Sequence, residues 1–474
     1  MITTTTPAAQ EMRRAPVARA DAPLLLGRLK KSAAGRGLLL GHAGDVRSVP
    51  DEWYEVIRRM DGFHSFADIA ADTGGDELFV RRVFSEIRGE KRVGLLRDWN
   101  CSYWCDACGL YLSRQPTCAE CGEATTPLPL LPPCDPWILF DEEHAFVRDL
   151  LRNHTGLDVD DRRLLLGNNG VRDNRFFWQI VYAGHVVLHI AFTEFDPASW
   201  QVEVADGVHR LDWTRPTDDR QEEMRRIARA NRATLRALEA DAVAFVDEVS
   251  TYYPADPVLY FSGGKESVVM LRLLEKAARR SNVIFVGTGV DFPEDAQFML
   301  EELKPALDNN PLFHFEMNLA PPERFLSVFR EQGTLDARSA WCRKYIKAPL
   351  KGEITARLYG DQHFVAFEGS RWYENDFRRS HPRINFAEGY DRQVWAHPLA
   401  EWTGLDVWSY IFLEDLKINP MYFQGFQRTT CWLCPIVNPF HLDQSRKRYP
   451  ELWKTIRGLE LKGFDGGDNL NTPF

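Results

Sequence analysis

An apolar, β-prone run, Pro257-Val258-Leu259-Tyr260-Phe261, stops at Ser262-Gly263-Gly264-Lys265-Glu266-Ser267. It continues as the helix-forming stretch Val268-Val269-Met270-Leu271-Arg272-Leu273-Leu274. Two adjacent glycines let the backbone curl so that successive N–H groups point into one concavity. The helix start behind them adds unpaired donors and partial positive charge. Ser262 and Ser267 supply hydroxyls, and Lys265 supplies a full charge. This combination predicts a polyphosphate cradle at the carboxyl end of a strand, where open α/β sheets place their ligands. It is not a Walker loop, because Gly-x-x-x-x-Gly-Lys-[Ser/Thr] is missing. A strand–turn–helix that binds no phosphate is the competing local reading.

The segment resembles the PP-loop of ATP pyrophosphatases, in the lysine-bearing Ser-Gly-Gly-Lys-[Asp/Glu]-Ser form of the sulfonucleotide reductase branch. Further segments follow in the family's order. Val283-Ile284-Phe285-Val286-Gly287-Thr288-Gly289-Val290-Asp291-Phe292-Pro293-Glu294 is similar to the second nucleotide-contacting loop. Trp341-Cys342-Arg343-Lys344-Tyr345-Ile346-Lys347-Ala348-Pro349-Leu350 resembles the Cys–basic segment. Glu368-Gly369-Ser370-Arg371-Trp372-Tyr373-Glu374-Asn375-Asp376-Phe377-Arg378 resembles the Gly-x-Arg-x-x-Glu-Ser-x-x-Arg loop, with Glu374-Asn375 in place of Glu-Ser. His397-Pro398-Leu399, Trp402, Asp406-Val407-Trp408 and Asn419-Pro420 match the C-terminal part. The resemblance spans roughly Asp256 to Pro435. It implies an α/β fold: a doubly wound parallel sheet of the adenine nucleotide alpha hydrolase-like kind over 255–420. Ser262, Gly263, Gly264, Lys265, Glu266, Ser267, Gly287, Thr288 and Asp291 would bind ATP. Lys265, Ser262, Arg371 and Cys342 would be catalytic.

At 474 residues the chain is too long for one core. A hydrophobic content of 44% and a charged content of 27% describe an ordinary soluble protein. No apolar run reaches membrane-spanning length. Met1–Ala22 lacks the apolar core of a signal peptide and reads as a disordered tail, with 1–49 as tail and lead-in. The nine cysteines fall mainly in Cys-x-x-Cys pairs, which suggests metal ligation in a reducing cytoplasm. A net charge of −10 argues against a protein basic all over and leaves room for a local cationic groove.

Residues 50–99 read as three helices and a strand, with Trp53, Val56, Ile57 and Met60 at helical spacing and Ser65 as an N-cap. This resembles a winged-helix-like module. Its acidic run of Asp68, Asp72, Asp76 and Glu77 favours a protein partner over phosphate. Over 100–135, Cys105-x-x-Cys108 and Cys118-x-x-Cys121 carry the spacing of a closed, structural four-thiolate zinc site, a zinc ribbon. Four free thiols is the alternative. Cys101 is able to substitute in register, and Cys134 reads as a lone thiol. Residues 136–216 alternate like strands of a small α+β domain. There, Phe176–Tyr182 and His185–Phe192 flank an Ala183-Gly184 hairpin turn, and a third strand is expected at Trp200–Val204. His185 and His189 read as core or surface histidines. Residues 217–254 predict one connecting helix of ~45–50 Å. Its Arg225, Arg226, Arg229, Arg232 and Arg236 fit a solvated face laced with glutamates better than a phosphate track.

Two chemistries follow from the resemblance. In one, an acceptor oxygen attacks the α-phosphorus of ATP, pyrophosphate leaves, and the adenylated oxygen becomes a leaving group for sulfur. Mg²⁺ would assist, with ligands the sequence does not assign. In the other, a sulfonucleotide is reduced by a cysteine on a C-terminal Glu-Cys-Gly-[Leu/Ile]-His element. Residues 435–474 contain no cysteine, which lowers that reading. Cys342 lies beside Arg343, Lys344 and Lys347, which would depress its pKa. With Cys431 and Cys434, in the 421–474 segment, it resembles the three-thiolate set of cluster-bearing sulfurtransferases. A 4Fe-4S cluster would then keep one iron open or take a ligand such as His441. Zinc or free thiols are the alternatives. Arg371, Arg378, Arg379, Arg383 and His381, interleaved with Trp372, Tyr373 and Phe377, would seat a nucleic-acid backbone or a substrate phosphate, or form ion pairs with Glu374 and Asp376. The whole resembles the ATP-pyrophosphatase subunit of DNA phosphorothioation systems. That implies nucleic acid (DNA) as acceptor and a cysteine desulfurase as sulfur donor. Thiolation of tRNA or of a small molecule, a non-catalytic nucleotide-binding adaptor, and homo-oligomerisation stay open.

Overall fold

The computed structural model describes residues 23–25, 28–31, 37–40, 46–60, 64–88, 93–95, 101–128, 130, 135–157, 163–172, 175–193, 196–211, 213, 219–333, 341–375, 378, 381–386, 392–429, 431–434 and 439–457. The expected tail Met1–Ala22, Cys134 and Arg379 lie outside them. The chain forms two compact units. One is made of 1–41, 45–139 and 144–219, and the other of 42–44, 140–143 and 220–474.

In the first unit, helices Asp51–Ile57, Phe66–Thr73 and Glu77–Arg88 pack Val56, Ile57, Ile69, Val80, Val83 and Ile87 into one core. Ser65 caps the second helix: its hydroxyl accepts from the Asp68 amide at 3.1 Å, and Asp68 accepts back from the Ser65 amide at 2.8 Å. The expected lead-in before residue 50 differs from a plain linker. Arg28–Lys31, Gly37–Leu40 and Val46–Val49 form an antiparallel sheet, because the Leu38-Leu39-Leu40 run sends Leu39 into the helical core. A second antiparallel sheet of five strands runs in the order Gln201–Val204, His185–Phe192, Arg175–Tyr182, Leu164–Arg172, Asp135–Ile138. Ala183 and Gly184 turn its central hairpin with φ of 46° and 80°, the left-handed pair that a two-residue type I′ turn needs.

The second unit is built on a six-stranded sheet: β1 (Val258–Phe261), β2 (Ser281–Gly287), β3 (Phe313–Leu319), β4 (Phe364–Phe367), β5 (Ile384–Phe386) and β6 (Gln393–Ala396). The order is β3-β2-β1-β4-β6-β5, and only the edge strand β5 is antiparallel. β1 and β4 are fully buried four-residue runs, as strands covered on both faces must be. The winding reverses between β1 and β4, so the loops leaving their carboxyl ends, at Ser262 and Glu368, flank the crevice of the sheet. The fold class is therefore the expected one, α/β with a doubly wound, mostly parallel sheet.

The single connecting helix expected over 217–254 is instead two, Arg220–Ala230 and Arg232–Thr251. The break falls at Asn231, whose backbone and side-chain amides both donate to the Ile227 carbonyl, at 3.0 and 2.8 Å. Arg225 and Arg229 pair with Glu222, and Arg236 pairs with Glu239 and Glu414. No described helix is long and apolar enough to cross a membrane.

Candidate nucleotide site and its cysteine neighbourhood

β1 ends at Phe261, and the helix Lys265–Lys276 begins after three intervening residues. Gly263, at φ 76°, makes that reversal possible. A Cβ there would also come within 2.7 Å of Asp295 Oδ1. The hydroxyls of Ser262 and Ser267 lie 3.3 Å apart; Ser262 Oγ accepts from the Gly264 amide at 3.3 Å, and Ser267 Oγ donates to the Gly264 carbonyl at 2.7 Å. The Lys265 amide donates to the Tyr422 hydroxyl at 2.9 Å. Every polar group expected for a cradle is therefore gathered on one turn.

The charges are arranged differently from a bare cationic loop. Lys265 Nζ lies 2.9 Å from Glu266 Oε1, and Arg371 Nη2 lies 3.1 Å from the same oxygen. Burial pushes the Glu266 carboxyl up, but Lys265 and Arg371 outweigh it and hold it at about 2. Burial lowers Lys265, but Glu266 outweighs it and raises the ammonium above the ordinary lysine range. Arg371 is 3% exposed, reaches the Trp402 carbonyl at 3.4 Å, and lies 3.6 Å from Glu374. It ties the loop after β4 to the first turn of the cradle helix.

The second loop leaves β2 at Gly287. Asp291 Oδ2 accepts from the amides of Thr288 (2.6 Å) and Gly289 (3.3 Å), which closes the turn. Asp291 bridges to Cys431, and the Trp432 amide donates to the Val290 carbonyl at 3.1 Å. The Thr288 hydroxyl lies 2.9 Å from Cys431 Sγ. The predicted nucleotide loop and the predicted cysteine segment are thus one joined structure.

Cys342, Cys431 and Cys434 pack around a single core. The expected depression of Cys342 does not occur: burial pushes its thiol up, and Lys347 and Arg343 only partly offset that. Burial likewise drives Cys431 well above the ordinary thiol range, and Asp291 adds to it. Lys347 is pulled down by burial and pushed up further by Cys431, Asp291, Cys342 and Cys434, so one ammonium faces all three cysteines. His441 packs its ring 5.0 Å from Phe426 and 5.9 Å from Phe292, two side chains of the same core.

Sequence reasoning missed Tyr422, Asp295 and Glu143. Asp295 is held well above the carboxylate range by burial and by Asp291, and accepts from the Asn419 amide at 3.2 Å. Glu143 is raised by burial in the same way, with Gln427 and Lys265 partly offsetting it. Tyr422 stands two residues after the Asn419-Pro420 pair that had been singled out; Asp295 and Glu143 carry no local signal. Of the two readings of the loop arginines, phosphate contact or ion pairing, the described residues Arg371, Arg378 and Arg383 show ion pairs. Arg378 pairs with Glu368 (3.4 Å) and Glu374 (3.9 Å), and Arg383 pairs with Asp241 (2.5 Å).

In the first unit, the sulfurs of Cys105, Cys108, Cys118 and Cys121 all lie within 4.8 Å of one another. Cys105–Cys121 is 3.5 Å and Cys108–Cys118 is 3.8 Å, close to the ~3.8 Å that tetrahedral bonds of about 2.3 Å require. Gly109 and Gly122, at positive φ, turn each knuckle by donating to the carbonyls of Cys105 and Cys118. This is a metal-competent set, and among the described residues it is the only one with three or more such ligands this close. Cys101 lies outside it.

Residues 256–437 match the family model described as the phosphoadenosine phosphosulfate reductase domain. Sulfate adenylyltransferase subunit 2 of Mycolicibacterium gilvum is 30% identical over 254 residues, covering 47% of this chain and 75% of that protein. The chain belongs to the PP-loop, phosphoadenosine phosphosulfate reductase-like family. Adenosine 5'-phosphosulfate reductase 2 of Bacillus subtilis is 26% identical over 205 residues, covering 42% of this chain and 80% of its own length. The uncharacterized protein MJ0066 of Methanocaldococcus jannaschii is 28% identical over 239 residues, half of this chain. The chain spans about half the length of MJ0066 and of MJ0973, a second protein of that organism. The family match contains the whole PP-loop cradle, the Thr288 loop and all three C-terminal cysteines.

Proposed function

We propose that this PP-loop protein is an ATP pyrophosphatase that adenylates an acceptor oxygen for replacement by sulfur, with a nucleic-acid backbone phosphate, DNA foremost, as the acceptor. The observation that carries the reading is the 2.9 Å contact between Thr288 and Cys431, which puts a sulfur group against the nucleotide loop. A phosphate oxygen entering the cradle takes the Gly264 and Lys265 amides from Ser262 and Tyr422, and the Lys265 ammonium turns from Glu266 to the phosphate. Arg371 stays on Glu266 and keeps that carboxylate from following. The acceptor oxygen attacks the α-phosphorus, the bond to the pyrophosphate oxygen breaks, and the cradle stabilises the charge gathering on the leaving group. Sulfide, released from the donor's persulfide by two-electron thiol reduction, then attacks the adenylated phosphorus, and the P–S bond forms as the P–O bond to AMP breaks. Mg²⁺ would shield the polyphosphate.

The donor set Cys342, Cys431 and Cys434 suits a 4Fe-4S cluster: three thiols share one buried neighbourhood, more open than the mononuclear set of Cys105. When bound, such a cluster supplies an iron position able to carry hydrosulfide. Lys347 would offset the charge of the deprotonated thiols. The Cys105, Cys108, Cys118 and Cys121 set would hold zinc as a structural ion. The sulfur donor is a cysteine desulfurase, for which the helical front module, with its acidic surface, is the docking candidate.

The test is anaerobic purification with iron, sulfide and zinc analysis, then pyrophosphate release from ATP with and without single-stranded and duplex DNA. DNA-stimulated release supports the proposal. Consumption of a sulfonucleotide without ATP replaces it with the reductase reading, and ATP binding without release replaces it with a non-catalytic adaptor.

A further inference from the structure

At the carboxyl ends of β4 and β6 lies a half-open cavity of about 140 Å³, lined by none of the cradle residues. Trp372, Trp395, Glu368, Arg378, Asn385 and His397 line it. A cavity of about 150 Å³ is enough for a benzene-sized ring. Two features select the occupant. The first is charge. Arg378, the guanidinium of the wall, is paired with Glu368 and Glu374 and bonds Ser370 Oγ, which disfavours its use by a phosphate. The second is the mix of flat apolar faces with donors and acceptors. Trp372 is fixed by donation from its indole N–H to the His381 carbonyl at 2.9 Å, and Trp395 stands 5.3 Å from Tyr260. His397 is 6% exposed, and its Nδ1 is a buried polar atom without a hydrogen-bond partner. Burial lowers this imidazole to about 4, so at neutral pH it offers a neutral ring. Aromatic faces with carboxylate, amide and imidazole edges are what an unstacked base requires.

We infer that this cavity is a pocket for a nucleobase of the acceptor, separate from the ATP cradle. It rests on the proposed nucleic-acid acceptor and names the group by which that acceptor is held. The backbone carries the reacting oxygen, and the base, lodged beyond the carboxyl ends of β4 and β6, fixes its place.

The test needs no turnover. Binding of a single-stranded deoxyoligonucleotide, an abasic strand of equal length and the four free deoxynucleosides is measured on the full chain by anisotropy and tryptophan quenching. The expected result is binding of the oligonucleotide, at least tenfold weaker for the abasic strand. Trp372→Leu and Trp395→Leu should each lose about tenfold or more, and Trp395→Phe should retain most of the affinity. Thermal melts confirm that each variant is folded, and His397→Gln, a milder change, should weaken binding in the same direction. Free nucleosides binding as tightly as the oligonucleotide would keep the pocket chemistry and assign it to a free nucleoside. Equal binding of the abasic strand, no binding at all, folded tryptophan variants with unchanged affinity, or competition by ATP would overturn the inference. Failure of pyrophosphate release would instead sink the proposed reaction and leave this binding result standing.

Discussion

The hydroxyl of Thr288 and the sulfur of Cys431 are 2.9 Å apart although 143 residues separate them in sequence. The first belongs to the loop after β2 and the second to the Cys-x-x-Cys turn. Whatever Cys431 carries is therefore felt by the nucleotide loop. Thr288→Val should weaken ATP binding and metal retention together. Calorimetry and metal analysis on the same preparation check this; loss of one alone would uncouple the two sites.

Lys265→Ala should lower pyrophosphate release by about 100-fold or more, the scale of losing a transition-state donor. It also leaves Glu266 with Arg371 as its close cation. A steady-state assay beside a circular dichroism spectrum separates lost chemistry from lost fold. Normal turnover would mean that the cradle is misassigned.

Tyr422→Phe removes the acceptor of the Lys265 amide. A buried unsatisfied N–H costs about 1–3 kcal/mol, so the variant should melt lower. Saturating ATP should narrow the gap, because a phosphate oxygen supplies the missing acceptor. Scanning calorimetry with and without ATP measures both.

Glu414 lies 2.6 Å from Arg236, 2.8 Å from Lys276 and 3.0 Å from Arg272. Burial pushes its carboxyl up, but these cations hold it at about 2, below the ordinary 4.5. A lowered folded pKa contributes stability above the unfolded value and loses it as pH falls toward the folded one. Glu414→Gln should therefore cost roughly 2–3 kcal/mol at pH 7, and the gap should shrink as pH drops from about 4.5 toward 2. Urea titrations at pH 7, 4 and 3 follow it.

Cys105→Ser should lower bound zinc and destabilise the first unit, because a four-thiolate site that small takes folding energy from its metal. Cys431→Ser should instead remove the visible absorbance and iron of anaerobically purified protein. Metal analysis of both variants distinguishes the sites; iron unaffected by the second change would remove the cluster.

What was legible in the sequence was local. The Ser-Gly-Gly-Lys turn, the Ser65 cap, the Ala183-Gly184 hairpin and the Cys105 set are fixed by neighbours a few residues away, and each took the expected shape. What was not legible depends on distant partners. Tyr422 reaches Lys265 across 157 positions, and Asp295 is raised by burial that no local pattern announces. The break at Asn231, where a side-chain amide joins the backbone amide on one carbonyl, leaves the apolar spacing on both sides intact, so helical periodicity hides it. Cys342 was expected to be acidified by its sequence neighbours, yet the apolar surroundings of its fold outweigh them. For the arginines of the loop after β4 the sequence left phosphate contact and ion pairing open; Glu374 was named as a partner because it is near in sequence, whereas Glu368 and the distant Asp241 were not.

Because Lys265 and Arg371 converge on Glu266, while Arg371 also lies by Glu374 and Arg378 pairs with Glu368, three cations of the crevice are matched by three carboxylates and it presents little net charge to an approaching anion. Capture of the nucleotide is then an exchange of counter-ions at contact rather than attraction from afar, so its association rate should depend only weakly on ionic strength, while its dissociation rate records the strength of the displaced pair.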